Sequence, residues 1–194
     1  MARSDFEIAN DFVRRWGALS KERRARLGSQ IPLAAVQVAA LKHPDLRIRR
    51  FCLFLLDHYA SDVSLDVFHR ALRDPVASVR EGALHGIACE RCRSEELSVA
   101  DVVTDLVDIL ACDPSAEVRH KTIAALARFL ARDARAGEAI DRASHDDPDF
   151  AIRHAARAVA EGAQPHVRSR KAALRDARRG QRLTNSRKLT PRTA

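Results

Sequence analysis

The chain has 194 residues, of which 46% are apolar, 5% aromatic and 31% charged, and its formal net charge is +8. Alanine and leucine dominate the apolar fraction and only seven glycines are present, a composition that favours helices and disfavours sheets. No apolar run approaches the roughly 18 residues that cross a bilayer, and the start lacks the pattern of a secretion signal, so we expect a cytoplasmic protein with reduced cysteines and no membrane partner.

The first helices are predicted near the N-terminus. Ser4 and Glu7 have the spacing of a capping box, which opens a helix that continues through Trp16. Ser20 is placed to cap a second, short helix that ends near Gly28.

A three-part motif then recurs four times: a proline, an aliphatic residue four positions later and an arginine five positions later. Aspartate precedes three of the prolines, and His43 precedes the first. The prolines are 31, 39 and 34 residues apart, and they are Pro44, Pro75, Pro114 and Pro148. A spacing of about 20 to 50 residues is typical of proteins built from stacked repeats.

Each repeat is predicted to consist of two helices that are separated at the proline. Proline is tolerated at the first helical position, where its missing N–H has no partner, and the preceding aspartate can cap the exposed N–H groups. The second helices follow the prolines, with apolar residues at a period of 3.6. The first helices are predicted at residues 31–42, 63–73, 98–111 and 134–144.

The recurring Asp-Pro-x3-[Val/Ile]-Arg-x2-Ala motif resembles the HEAT repeat family, particularly its short bacterial repeats, over residues 31–163. The first repeat departs from it with His43 and Cys52, and the third has Thr122 in place of the alanine. The resemblance implies an all-α, right-handed α-solenoid of about four helical hairpins. Residues 1–30 then form an N-terminal helical cap over the exposed end of the core.

In this family the aspartate and the arginine typically form a ladder between neighbouring repeats. The resemblance therefore implies that these arginines are structural, although their row looks like a phosphate-binding one. We expect Asp74, Asp113 and Asp147 to pair with Arg49, Arg80, Arg119 or Arg153. Proteins of this type are mostly scaffolds or adaptors, while some relatives are bilin lyases and a few are DNA glycosylases.

If the second helices line up along a concave face, positions 6, 10, 13 and 14 after each proline form rows outside the apolar stripe. A groove with histidine, arginine and one phenylalanine suits an acidic peptide, bound more strongly as the pH falls through about 6.5. The simpler interpretation is a set of solvated helix residues. The candidate partner-binding residues are Arg50, Phe54, His58, Glu81, His85, His120, Arg128 and His154.

A zinc site is one alternative for part of this face. His85, Cys89 and Cys92 share a helix face, and Cys112 or another histidine could supply a fourth ligand. A single C-x2-C pair is a weak signal, and buried or half-buried thiols explain the cysteines more simply. We therefore predict no metal and no cofactor.

Catalytic signatures are missing from the sequence, which lacks a phosphate-cradling glycine loop, a G-x-S-x-G elbow and an H-E-x-x-H pair. Gly82 and Gly86, four residues apart, favour the close approach of another helix. Asp101, Asp105 and Asp108 form an acidic stripe that we interpret as an exposed polar face rather than an acid–base pair. We predict a protein that is not an enzyme, with the lyase and glycosylase activities of some relatives left open.

Residues 164–194 are predicted to be a basic and largely disordered tail. Residues 165–194 contain ten Arg and Lys and one acid, so they carry +9 while the remainder of the chain carries −1. Six of the basic residues are dense enough to neutralise phosphates of RNA or DNA, or to bind acidic protein patches: Arg168, Arg170, Lys171, Arg175, Arg178 and Arg179. Because no aromatic residue is interleaved, such contacts would be weakly sequence-specific.

These sequence features lead to two alternative predictions of function. The leading prediction is a non-catalytic scaffold or adaptor that binds a protein or peptide on its concave face. The alternative is association with nucleic acid through the basic tail, which could instead be a merely solubilising segment.

Overall fold

The computed structural model of the chain describes residues 3–28, 30–59, 65–88 and 99–162. Within these ranges the backbone forms ten α-helices and no strand, which confirms the all-α class. None of the described helices is both long and apolar enough to cross a membrane. The helices are α1 (Asp5–Gly17), α2 (Lys21–Gly28), α3 (Leu33–Lys42), α4 (Leu46–Tyr59), α5 (Asp66–Ala71), α6 (Ala77–Ala88), α7 (Val99–Cys112), α8 (Ala116–Ala127), α9 (Ala134–Asp146) and α10 (Phe150–Ala160).

The chain divides into two compact units, Met1–Asp105 and Leu106–Ala194. In the first unit, α3 packs on α4 and α5 packs on α6, so each pair is a helical hairpin. The hairpins also contact each other helix by helix, α3 on α5 and α4 on α6. Helix α1 packs on α3 and α4, and α2 packs on α4.

The second unit contains the C-terminal part of α7 together with α8, α9 and α10. Helix α9 packs on both α8 and α10, and α8 packs on α10. Leu106, Leu126 and Ile140 are among its fully buried side chains.

The N-terminal helices form as their sequence predicts. Ser4 Oγ accepts a hydrogen bond from the Glu7 N–H at 3.3 Å, and Glu7 Oε2 accepts one from the Ser4 N–H at 2.8 Å, so both halves of the capping box are present. Phe12 and Trp16 are buried, and the Trp16 ring lies edge-on to Tyr59 at 4.5 Å between centroids. Aromatic packing thus ties α1 to the end of α4.

The proline turn differs in detail from its prediction. In every repeat the second helix begins two residues after the proline, rather than at the proline itself. The side chain before the proline accepts the N–H of the residue two positions on, at 2.7–2.8 Å for the three aspartates. The residue after the proline then lies at the N-cap, and Ser115 and Asp149 each accept a further N–H bond there. A carboxylate-stabilised turn therefore precedes the helix.

The eighth position after each proline lies fully inside the core. Cys52, Ala83 and Ala156 are all completely buried, as is Thr122. The Thr122 hydroxyl donates to the Val118 carbonyl oxygen at 2.9 Å, which satisfies the polar group without a distant partner. The motif therefore needs a small side chain at this position, and hydroxyl or thiol groups are accepted.

Most helix limits lie within two residues of their predictions. The exception is the helix predicted at residues 63–73, which appears as the shorter α5; residues 60–64 lie outside the described part of the chain. Close packing in this hairpin depends on Gly86, because a Cβ atom there would overlap the Phe68 ring. Gly82, one turn earlier, meets only Leu53 Cδ1 at an ordinary 3.6 Å.

Candidate functional site

The motif arginines make two kinds of contact. Arg49 donates from Nε to Asp74 Oδ2 at 2.8 Å and from Nη2 to Asp74 Oδ1 at 3.3 Å. Its Nη1 donates to the carbonyl oxygen of His43, the residue before its own proline, at 2.7 Å. Arg119 repeats this arrangement with Asp147 and with the Asp113 carbonyl oxygen. The hydrogen bond to Asp147 raises the pKa of Arg119, so the guanidinium stays charged.

The other two arginines also bond to the turn of their own repeat. Arg80 Nη1 donates to the Asp74 carbonyl oxygen at 2.8 Å, and Arg153 Nη1 donates to the Asp147 carbonyl oxygen at 2.5 Å. Arg80 and Asp113 lie in different units, so their pairing stays a prediction. Sequence reasoning missed the bond within each repeat, although its signal was visible: the arginine always follows the residue before the proline by six positions.

Three of the four motif arginines are unsuited to binding phosphate. Arg49, Arg80 and Arg119 are buried, and their donors bond to carboxylates and carbonyl oxygens of the turns. This supports their interpretation as structural residues.

His43 performs the role of the missing aspartate in the first repeat. It is buried, and its Nδ1 accepts the Asp45 N–H at 3.0 Å. Its Nε2 lies 3.2 Å from Asn10 Nδ2 on α1. Phe6 lies edge-on to the ring, with 5.1 Å between centroids. The ring thus packs against α1, where no preceding repeat supplies an arginine.

A cluster of rings covers the adjoining ends of α4 and α6. Phe54 and His58 lie one turn apart on α4, and their centroids are 4.4 Å apart. The His58 ring lies 5.8 Å from that of His85 on α6, with planes within 4° of parallel. Phe54 is 39% exposed and both histidines are exposed. We call Phe54, His58 and His85 the ring patch.

Two further candidates lie on the same helices. Arg50 is one turn before Phe54 on α4 and is exposed, and Glu81 is one turn before His85 on α6 and is half-buried. The structure therefore brings five of the eight candidate partner-binding residues onto two packed helices of the first unit.

Asp57 lies beneath the ring patch. The residue is only 5% exposed, and its Oδ2 is 3.0 Å from His58 Nδ1 and 3.4 Å from His85 Nε2. Within the described part of the chain, neither carboxylate oxygen receives a hydrogen bond of acceptable geometry. Sequence reasoning placed Asp57 in a surface row without choosing it, because its burial depends on how α6 packs on α4.

The remaining candidates lie in the second unit. His120 is only 7% exposed, so the expectation that it is available at the surface is wrong. Helix α8 is buried on several sides, since the three consecutive residues from Val118 to His120 are all buried. Arg128 is half-buried, while His154 is exposed with its ring 6.2 Å from that of Phe150. A surface shared with the ring patch stays a prediction.

The interpretation of the acidic stripe as a solvated face is wrong for Asp105. Its Oδ1 accepts a hydrogen bond from Arg73 Nη2 at 2.9 Å, and its Oδ2 lies 2.7 Å from His69 Nε2. Asp108 is exposed, as expected, and the side chain of Asp101 lies outside the described residues. Asp105 is thus part of an ion-pair network that joins α7 to the α5 hairpin.

Two of the cysteines lie in the described part of the chain. Cys52 is buried, and burial raises the pKa of its thiol to about 12, so it is an unreactive core residue. Cys112 is exposed. Cys89 and Cys92 lie outside the described residues, as do all six candidate basic residues of the tail, so the Cys-based zinc site and the tail stay predictions.

No protein-family model matches the chain, and no curated protein or solved structure is significantly similar to it. The resemblance to HEAT repeats therefore depends on the motif itself.

Proposed function

We propose that the chain is a HEAT-like repeat scaffold of the α-solenoid class, which binds a protein or peptide partner and catalyses no reaction. Support comes from the recurring proline motif and from the hairpins α3/α4 and α5/α6, which contact each other helix by helix. The Arg49–Asp74 and Arg119–Asp147 pairs add to it, because each links one repeat to the next. Proteins of this architecture present successive helices as a binding surface.

The observation that carries the binding role is the ring patch. Phe54 is a large apolar side chain, 39% exposed, between the exposed Arg50 and the exposed His58. Aromatic and arginine side chains dominate the binding energy of many protein interfaces. The partner segment that suits this surface carries an apolar side chain to cover Phe54 and a neighbouring carboxylate to pair with Arg50.

Helix α4 offers a matched control for this proposal. Leu46 has the same fractional exposure as Phe54, 39%, but it is the first residue of the helix and lies outside the ring patch. We expect the full-length chain to recover a partner from its native cells, and Phe54→Glu to abolish that recovery while Leu46→Glu retains it. Cross-linking followed by mass spectrometry should then map the partner to α4 and α6. Equal recovery by both variants would remove the ring patch from the proposal.

The charge distribution favours nucleic acid as a second candidate partner, because residues 165–194 carry +9. The test replaces six basic residues by glutamine in the full chain: Arg168, Arg170, Lys171, Arg175, Arg178 and Arg179. If they contact duplex DNA, the negative slope of log binding constant against log salt should become shallower by up to about 5, since each neutralised phosphate contributes about −0.9. A slope that is unchanged by the substitutions contradicts the nucleic-acid role and leaves the scaffold proposal intact.

A further inference from the structure

We propose that Asp57, His58 and His85 form a binding site for a divalent transition-metal ion, with zinc as the ion that this donor set favours. The site shares His58 and His85 with the ring patch, but ion binding does not depend on the proposed partner role. Unlike the cysteine-based zinc site that the sequence suggested, it needs no thiolate ligand. It combines two imidazoles and one carboxylate, which are common zinc ligands. Two nitrogen donors argue against calcium or magnesium, which prefer oxygen ligands.

The distances suit a single ion. Zinc bonds to nitrogen and oxygen of about 2.0–2.2 Å in a tetrahedral arrangement place neighbouring ligand atoms roughly 3.3–3.5 Å apart. Asp57 Oδ2 lies 3.0 Å from His58 Nδ1 and 3.4 Å from His85 Nε2. One potential ligand atom from each of the three residues lies within 4.8 Å of the other two.

The carboxylate provides an independent argument. Asp57 is more than nine-tenths buried, and neither oxygen receives a hydrogen bond from the described residues. A buried carboxylate without hydrogen bonds is costly, and the cost is offset only by a paired charge or a coordinated metal. A divalent cation between Asp57 and the two imidazoles supplies that charge.

The position of the cluster in the fold also favours a cation. Asp57 and His58 are in the last turn of α4, and His85 is in the last turn of α6. The last carbonyl groups of a helix carry partial negative charge, which attracts cations to its C-terminus. Two packed helices contribute this field to the same place.

Binding requires a modest rearrangement of exposed rings. His58 Nδ1 also lies 3.1 Å from the Phe54 carbonyl oxygen, and this contact is exchanged for the metal when Nδ1 becomes a ligand. Because the two imidazole planes are within 4° of parallel, one ring must turn to aim its lone pair at the common ion. Both histidines are exposed, so the turn requires no change in the core. Three protein ligands leave a fourth position for water or another donor.

The test uses the metal-stripped full chain, titrated with Zn²⁺ by calorimetry and with Co²⁺ by visible absorption at neutral pH. We expect one equivalent to bind, and Zn²⁺ to raise the melting temperature. His85→Gln and Asp57→Asn should each weaken metal binding at least about tenfold. Removing even an outer-shell partner of a metal ligand costs about tenfold or more in affinity, so removing a ligand itself should cost no less. His154→Gln is the matched control, because His154 is also an exposed helical histidine and lies outside the cluster.

Three results would overturn the proposal: no binding of either ion, binding that His85→Gln leaves unchanged, or a sulfur-to-cobalt charge-transfer band. The last of these identifies thiolate ligands and points instead to the cysteines. Circular dichroism checks that each variant is folded. His85→Gln keeps the test decisive if Asp57→Asn fails to fold, since His85 is exposed.

Discussion

Arg119 donates to Asp147 Oδ2 at 2.8 Å from Nε and to the Asp113 carbonyl oxygen at 2.7 Å from Nη1. One guanidinium thus holds the turn of its own repeat and the carboxylate of the following repeat. Asp147 Oδ1 in turn accepts the Asp149 N–H at 2.7 Å, which stabilises the turn before α10. Turn conformation and the contact between repeats therefore belong to one network of charge-assisted hydrogen bonds.

Replacing Arg119 by methionine tests the energetic importance of this network. The change leaves the Asp147 carboxylate buried without its charged partner, and the loss of one member of a buried pair typically costs about 3–5 kcal/mol. We expect a corresponding fall in the free energy of unfolding, measured in urea. Arg47→Met is the control, because Arg47 pairs with Asp45 at an exposed site and its removal should change stability little. Equal effects of the two substitutions would contradict a structural role for Arg119.

His43→Asp restores the motif residue at the first repeat but should destabilise the protein. The new carboxylate could still accept the Asp45 N–H, but it would have no arginine from a preceding repeat and would lose the contact with Phe6. A buried polar group left without its partner costs about 1–3 kcal/mol, and the midpoint of thermal unfolding should fall accordingly. His43→Asn supplies an uncharged acceptor for the Asp45 N–H and should cause a smaller loss. A stabilised His43→Asp variant would show that this explanation is wrong.

Asp45 should titrate unusually low. Its hydrogen bonds to the Arg47 side chain and backbone lower the pKa of the carboxyl from 3.8 to about 2. Because the folded-state pKa is below the unfolded one, the stability that this exposed pair contributes, which solvent screening keeps small, is present above about pH 4 and is lost as the pH falls through about 2. Carbon-13 NMR of the carboxyl group should show Arg47→Gln moving the pKa upward toward 3.8, while Arg14→Gln leaves it unchanged. An Asp45 pKa that does not respond to Arg47→Gln would exclude the proposed cause.

The helices and their breaks could be predicted because their signals are local. The capping box at Ser4, the prolines and the 3.6-residue period each act over a few neighbouring residues. The Arg49–Asp74 contact could be predicted only from the resemblance to HEAT repeats, in which these two motif positions typically pair between neighbouring repeats. The hydrogen bonds within the proline turn required the actual backbone path, so the first helical position was misplaced by two residues.

The candidate site was less predictable because burial depends on which helices pack together. Asp57 and His120 occupy rows that the helical period places outside the apolar stripe, yet both are buried. Asp105 belongs to an apparently solvated stripe, and its contacts come from a histidine and an arginine more than 30 residues earlier in the chain. No spacing rule within one helix contains this information.

Gly82 and Gly86 allow the packing of α6 to be tested with a matched pair of alanine substitutions. At Gly86 the added methyl group would overlap the fully buried Phe68 ring, which has no room to move without disturbing the core. At Gly82 the methyl group would make an ordinary contact with Leu53. Both substitutions gain about 1 kcal/mol of helix propensity, so their difference isolates the packing effect.

We expect Gly86→Ala to lower the free energy of unfolding, because overpacking of a core costs about 1–3 kcal/mol and offsets or exceeds the propensity gain. Gly82→Ala should raise the free energy of unfolding by up to about 1 kcal/mol. Urea unfolding of the two variants beside the parent chain measures both changes. Phe68→Leu combined with Gly86→Ala should recover part of the loss, since the smaller side chain makes room for the methyl group. If Gly86→Ala proved as stabilising as Gly82→Ala, that result would contradict the close approach of α6 to α5 at Gly86.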